Sequence, residues 1–398
     1  MKVILAGYNL DSTVIEELKA NQPSRSDVTP ETLSAAYARI SRDPSSVEEL
    51  RAIARREVDR ARRSNKTIIF KMGHHSVAEH AVFNFDIIGI SRLVVEEIEK
   101  FRMGSYTEKS QRYIKLKDDF VIPKEINEAG KKEIFIKTIN NQNELYNKLY
   151  SKLRPYFFDK YPEYARDPKK HSILDGWAKE DARYVVSLAT QSQLGLTMNA
   201  RSLEHLIRRF SSKKLNELKE LNQKIYDLAK KAAPSIILFT EANDFDSLTY
   251  DELKARSAAL MESYTSPADE EVHLTDCTPD ADIKLIASLI HSTTLNSYTD
   301  CFQRAKKMSQ KEKIDYLKTA FEHMEFFDSA LREFEYVDLT YELIVSAACF
   351  AQLKRHRMAT LCTQAYDPSL GVNIPPSVAD IDMGKKFMEC IELSLIHI

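Results

Sequence analysis

A chain of 398 residues is long enough for about two hydrophobic cores, and its 43% hydrophobic content can fill them. Its charged residues, 29% of the chain, nearly cancel to a net charge of -2, which excludes a global field drawing it to nucleic acid or to anionic membranes. Any anion site must therefore be a local cluster. No run approaches the roughly 20 apolar residues of a membrane span. The nine glycines form neither GxGxxG nor GxxxxGK(S/T), which argues against a Rossmann or P-loop nucleotide site.

In chain order, the opening MKVILAGYNLDSTVIEELKA has one Lys and a short apolar run passing into a charged helix pattern. It reads as a buried first strand and not as a signal peptide. Residues 45–65 are predicted helical, with serines placed to cap and Glu in the first turn. A strand is predicted over 81–90, with Phe83, Phe85 and Ile87 on one face. It runs into an amphipathic helix marked by Val94, Ile98 and Phe101. A helix or helical hairpin over 128–165 should be interrupted near Pro155. Further helices are expected near 178–188 and 200–232. Pro234 and the mixed polar run 241–270 read as a crossing to a second domain. The five cysteines (Cys277, Cys301, Cys349, Cys362, Cys390) all follow residue 270 and none forms CxxC, a pattern of reduced thiols in a cytoplasmic protein.

The second part repeats the order of the first. LREFEYVDLTYELIVSAACFAQLKRHRMAT at 331–360 parallels EHAVFNFDIIGISRLVVEEIEKFRMGS at 79–105, with an offset of 255 residues (357 − 102). Each copy then reaches a proline after an apolar stretch, Pro123 and Pro375. This spacing is a domain-sized duplication and not a solenoid period.

Three polar clusters are candidate sites. KFRMGSYTEKSQRY at 100–113 gathers Lys100, Arg102, Ser105, Glu108, Ser110 and Arg112, which can grip a phosphate or accept from a ribose or base. It reads equally as a solvated helix end. In LTMNARSLEHLIRRF, Asn199 is a natural N-cap, and Arg201, His205 and Arg208 form a basic stripe opposite Leu203, Ile207 and Phe210. The stripe suits an anionic cofactor, or is the wet side of an ordinary amphipathic helix. In GHHSVAEH, the spacing of His75, Glu79 and His80 fits neither H-E-x-x-H nor H-x-x-E-H, and no metal is expected. No GxSxG and no activated Cys motif supports nucleophilic catalysis.

Taken in order, HHSVAEH, KFRMGSYTEKSQRY, EDARYVVS and TMNARSLEH resemble the motifs of the flavin-dependent thymidylate synthases, whose signature is RHRxxSxNExSxRY, followed by ARxxLP and TxNxRxLxH. The resemblance covers residues 70–232 well and 325–378 more faintly. It implies an α+β fold with two tandem thymidylate-synthase-like domains, the second incomplete. These span 1–235 and 271–398, with a linker at 236–270. The first copy departs from the pattern at Lys100-Phe101-Arg102, at Glu97 in place of an upstream Gln, and at Phe210, where the Arg acting on uracil is expected. The second copy keeps Gln352 and Arg355-His356-Arg357, but has Thr360, Thr363, Ala365 and Asp367 in the other half.

In the family each site is built between subunits, so the resemblance implies a homo-oligomer. Because the copies have lost opposite halves, it also implies one composite site. The implied reaction is reductive methylation of dUMP, with FAD as cofactor and NADPH and methylenetetrahydrofolate as co-substrates. The residues expected at dUMP are Glu108, Ser110, Gln111, Arg112, Arg183, Gln352 and Arg355. Those expected at FAD are Ser76, Glu108, Asn199, Arg201, His205, His356 and Arg357. Arg208 or Arg209 is expected to be catalytic. The alternatives are a degenerate flavin- or nucleotide-binding relative with an assembly or regulatory role, and a helical RNA binder using 199–213. The latter is poorer because no stacking aromatics interleave that stripe. Only 41 residues follow Arg357 (398 − 357), while Asn199 lies 97 after Arg102 (199 − 102). The expectation is a natural protein longer by about 100 residues, with the missing uracil Arg in that segment.

Overall fold

The computed structural model describes residues 1–20, 28–40, 43–262 and 271–396. Strand β1 (Lys2–Tyr8) is followed by helices α1 (Ser12–Lys19), α2 (Glu31–Arg39), α3 (Val47–Arg56) and α4 (Val58–Asn65). Next come β2 (Val82–Ser91), α5 (Arg92–Glu99), β3 (Ser105–Glu108), α6 (Lys124–Glu128), α7 (Lys132–Lys160), α8 (Pro162–Ala165) and α9 (His171–Ala182). Then follow β4 (Gln191–Asn199), α10 (Ala200–Ser211), α11 (Asn216–Ala232) and α12 (Asp244–Leu260). The later elements are β5 (Val272–Cys277), α13 (Ala281–Thr293), α14 (Tyr298–Lys307), α15 (Gln310–Phe321), β6 (Leu339–Leu343), α16 (Ala347–Leu353), α17 (Pro376–Asp380) and α18 (Gly384–Ile396). Helix and sheet are thus mixed, at 59% and 11%. Among the described residues no helix is long and apolar enough to cross a membrane.

The contacts divide the chain elsewhere than at the expected 235 and 271. One unit takes in Met1–Ser263 with Ser346–Ile398, the other Tyr264–Val345. In the first, strands β1-β2-β4-β3 form an antiparallel sheet. Phe83, Phe85 and Ile87 of β2 and Leu194, Leu196 and Met198 of β4 alternate onto one face, as a half-buried sheet requires. That face is covered by Val94, Val95 and Ile98 of α5, Leu203, Leu206 and Ile207 of α10, and Leu221 and Ile225 of α11. The β2–β4 register slips between Ile88 and Ile90, where Gly89 takes φ +75°. The slip brings Ile90 and Ser91 both inside at the start of α5.

A second core of the same unit joins Tyr146, Leu149, Leu153 and Phe157 of α7 to Leu174 and Ala178 of α9 and to Val378, Met383 and Phe387. This burial explains why residues 346–396 pack with the first part. It also corrects the expected interruption at Pro155, since α7 runs through it. The buried Leu149, Leu153 and Phe157 flank the proline and hold the helix against the roughly 3 kcal/mol a central proline costs. The expected crossing at 241–270 is helix α12 over much of its length, because Asn243 and Asp246 form a capping box at its start. Residues 263–270 of that stretch lie outside the described residues. The 200–232 stretch is two helices, tied by Asn222 Nδ2 donating to the Ile207 carbonyl at 3.0 Å.

In the other unit, β5 and β6 pair antiparallel, and Ile286, Ala287, Cys301 and Ala305 form a small core. Local geometry recurs along the chain. Lys2↔Ile88, Val3↔Ile87 and Ile4↔Asp86 reappear as Val272↔Leu343, His273↔Glu342 and Leu274↔Tyr341, and each pair of strands then slips register. Ser91 caps α5 and Ser346 caps α16, 255 residues apart (346 − 91). After α6, Gly130 at φ 69° and Lys131 donate to the Asn127 and Ile126 carbonyls. After α17, Asp382 at φ 55° and Met383 donate to Ala379 and Val378 in the same way.

Candidate active site

Helix α5 carries Arg92, Glu96 and Glu99 at i, i+4 and i+7, one polar stripe, and all three are buried. Strand β3 ends at Glu108, whose side chain is 1% exposed. Arg92 donates Nη1 to Glu108 Oε1 at 2.5 Å, and Ser192 Oγ is 3.4 Å from the same oxygen. Arg355, just past α16, donates Nη2 to Glu108 Oε2 at 2.7 Å. One buried carboxylate is thus shared by guanidinium groups from the two ends of the chain. Such charge-assisted bonds hold a carboxylate ionised in a dry place.

The neighbouring contacts join the same segments. Lys354 Nζ lies 2.9 Å from Glu99 Oε2, in ion-pair range though off hydrogen-bond geometry, and both side chains are buried. Arg357 donates Nη1 to the Gly104 carbonyl. A Cβ on Gly104 would lie 2.7 Å from both Met198 Cε and Tyr106 Oη, so a larger residue here must push those side-chain ends aside. Tyr366 donates its hydroxyl to Glu96 Oε2 at 2.8 Å, and burial together with the Glu96 charge pushes its pKa up. Burial and Glu99 likewise keep the Tyr106 phenol protonated, and it donates to the Phe101 carbonyl.

Arg183, at the end of α9, is buried. Its Nη2 donates to the Ala348 carbonyl at 3.3 Å and lies 3.8 Å from Glu180, while its Nε has no partner. Burial pushes this guanidinium below its ordinary range; Glu180 opposes the shift, and Arg92 and Arg112 add to it. Arg112 approaches Glu180 at 3.6 Å, and Ser110 Oγ accepts the Arg112 N–H at 3.2 Å. Gln111 and Gln352 are half-buried. Arg92, Arg112, Arg183 and Arg355 therefore stand against Glu96, Glu108 and Glu180, four positive charges against three negative ones, with Glu99 paired to Lys354.

Of the other expected residues, Asn199, Arg201 and His205 lie on the first turns of α10. Asn199 caps it, accepting from Ser202 N at 2.8 Å. Arg201 is exposed and donates Nη1 to Glu79 at 2.5 Å. His205 stands edge-on to Phe101, and burial, then Arg209 and Arg208, pushes its pKa down, so it is neutral at pH 7. Ser76 is exposed on the 3-10 turn His75–His80 that packs on α10. His356 is exposed after α16.

The expected catalytic arginines are not in the Glu108 cluster. Arg208 is held by Asp246 at 2.7 Å and Arg209 is exposed, while Phe210 is buried in the sheet core. Within HHSVAEH, Glu79 answers Arg201, while His80 and His75 stack edge-on to Tyr37 and Phe70.

Sequence reading passed over Arg92, Glu96, Glu99, Glu180, Lys354 and Tyr366. The signal for the first three was present, because a polar stripe at helical spacing lay beside the apolar one in SRLVVEEIEKF.

The sequence model of the family described as Thymidylate synthase complementing protein matches residues 25–235. The chain is 31% identical over 216 residues to the flavin-dependent thymidylate synthase of Clostridium tetani, covering 53% of this chain and 82% of that one. It is 23% identical over 354 residues to a UPF0159 protein of Chlamydia pneumoniae, covering 84% of this chain and 67% of that protein. Among solved structures, ThyX from Helicobacter pylori complexed with FAD and dUMP aligns with a TM-score of 0.37 and 16% identity, over 60% of this chain and 100% of that chain.

Proposed function

Because the chain belongs to the flavin-dependent thymidylate synthase family, we propose that it binds dUMP and FAD at one composite site and methylates dUMP reductively, with methylenetetrahydrofolate and NADPH as co-substrates. The observation that carries this reading is Glu108, held between Arg92 and Arg355 beside the unpartnered Nε of the buried Arg183. The excess positive charge of this cluster suits a phosphate, and an orphaned guanidinium N–H is a donor awaiting an acceptor. In this reading Ser110, Arg112, Arg183 and Arg355 take the phosphate, and Gln111 and Gln352 face the base.

The donors at the start of α10 fit a diphosphate. The helix N-terminus and the exposed Arg201 favour negative charge, and the neutral His205 can donate or accept. Ser76, Asn199, Arg201 and His205, with His356 and Arg357 from after α16, would hold FAD. Bound FAD supplies the redox chemistry of the one-carbon transfer. The protein needs no nucleophile of its own and supplies position and charge.

The same reading takes residues 271–398 as a diverged second copy of the first domain. The recurring strand register, the helix caps Ser91 and Ser346 and the turns at Gly130 and Asp382 support it. A second reading, a relative that binds nucleotide and flavin without turnover, is favoured by the buried Phe210 and by the tie of Arg208 to Asp246.

Two measurements test these readings. Calorimetry should detect dUMP binding that Arg183→Ala weakens by about 1–3 kcal/mol, the range for losing a charged hydrogen bond; wild-type affinity in that variant rejects the site. Tritium release from 5-labelled dUMP by flavin-loaded protein then separates enzyme from binder.

A further inference from the structure

We infer that the Glu99–Lys354 ion pair lies on a local two-fold axis relating the α5 segment to its counterpart at α16, both within the larger unit, and that its charges code for pairing of unlike repeats. This inference rests on the duplication proposed above. The offset fixed by the caps Ser91 and Ser346 maps Glu99 onto Lys354 (354 − 99 = 255). When two equivalent surfaces meet about a two-fold axis, a position touches its own equivalent only at the axis. Lys354 Nζ and Glu99 Oε2 are 2.9 Å apart.

The surrounding contacts keep this near-equal register. Arg357, equivalent to Arg102, reaches the Gly104 carbonyl, and Arg355, equivalent to Lys100, lies 4.0 Å from Glu99.

Side-chain exposures of 1% for Lys354 and 4% for Glu99 make the position intolerant of like charges. Pairing the first repeat of two chains would set Glu99 against Glu99. Pairing their second repeats would set Lys354 against Lys354. Only first-with-second pairing neutralises the axis. That pairing also brings the stripe of Arg92 and Glu96 to face Arg355 and Tyr366, since the second repeat has Ala347 and Ala351 at the positions of Arg92 and Glu96.

Charge reversal tests this on the full chain, read by thermal midpoint and native mass so that the outcome is independent of nucleotide binding. Glu99→Lys and Lys354→Glu alone should each lower the midpoint by about 10 °C or more, or prevent soluble expression. The double swap should recover at least half of that loss. Coexpressed single variants should form a two-chain species, because each supplies the partner the other lacks. Singles that unfold like the wild type, or a swap no better than the singles, overturn the inference. Lost dUMP binding with the charge-swap pattern intact would overturn only the functional reading.

Discussion

Removing Arg92 should separate stability from binding at the shared carboxylate. In Arg92→Ala the Glu108 side chain, 1% exposed, loses its shorter ion pair and keeps Arg355 at 2.7 Å and Ser192 at 3.4 Å. Stranding a buried charge completely costs about 3–5 kcal/mol. With one of two guanidinium partners left, about half of that is expected, roughly 2 kcal/mol. Arg355→Ala removes a side chain that is 43% exposed and leaves the buried Arg92 pair, so its stability cost should stay near the 0–1 kcal/mol of exposed pairs. Its effect on dUMP should be the larger one, because Arg355 is the accessible cation. Urea unfolding and calorimetric dUMP titration of both variants measure the crossing pattern. Arg92→Lys should recover part of the stability, since it restores charge but not the fork. If Arg92→Ala unfolds within about 0.5 kcal/mol of wild type, Glu108 does not depend on it and the reasoning about the shared carboxylate is wrong.

Three further outcomes are expected. Gly104→Ala should force Met198 or Tyr106 aside and withdraw the carbonyl from Arg357, lowering the thermal midpoint and weakening flavin retention, while Gly195→Ala, with nothing within 4 Å, should be mild by comparison. Tyr366→Phe leaves a buried Glu96 carboxylate whose other oxygen already lacks a partner, and should cost about 1–3 kcal/mol in urea unfolding. The depressed pKa of His205 means the unfolded chain takes up this proton more readily than the folded one. Its contribution is therefore present above pH 6.5 and lost as pH falls below it, and His205→Gln should flatten that part of the stability profile.

The sheet was legible in sequence because β2 alternates strictly, Phe83-x-Phe85-x-Ile87, and its apolar side has one solution. Helix α10 was legible because its stripe of Leu203, Ile207 and Phe210 faces the sheet core. The continuity of α7 was not, since a proline signal is local and the burial of Leu153 and Phe157 that overrides it is tertiary. The site was half legible. Glu108, Arg183 and Arg355 stand out by motif, but their meeting depends on α16 folding back 247 residues later, which no local pattern reports. Arg92 was hidden because an arginine in the first turn of an amphipathic helix is ordinarily exposed.

Divergence of the repeats leads to an expected stoichiometry. Two identical copies meeting about an axis would make two equivalent sites. Exchanging equivalent positions in the Glu108 cluster gives the composition of the second one: Ala347 for Arg92, Thr363 for Glu108 and Lys100 for Arg355. With Asp367 standing for Arg112, that set has no guanidinium fork to grip a phosphate, and Lys100 is already paired with Glu97. Thr363 is exposed, where Glu108 is buried. The unspent positive charge thus belongs to one of the two positions. Saturation calorimetry should return one dUMP per chain, and Glu108→Gln should reduce the count toward zero without uncovering a second class of site. A stoichiometry of two per chain would show that Lys100 and Thr363 form a competent site, and the account of opposite halves lost would fail.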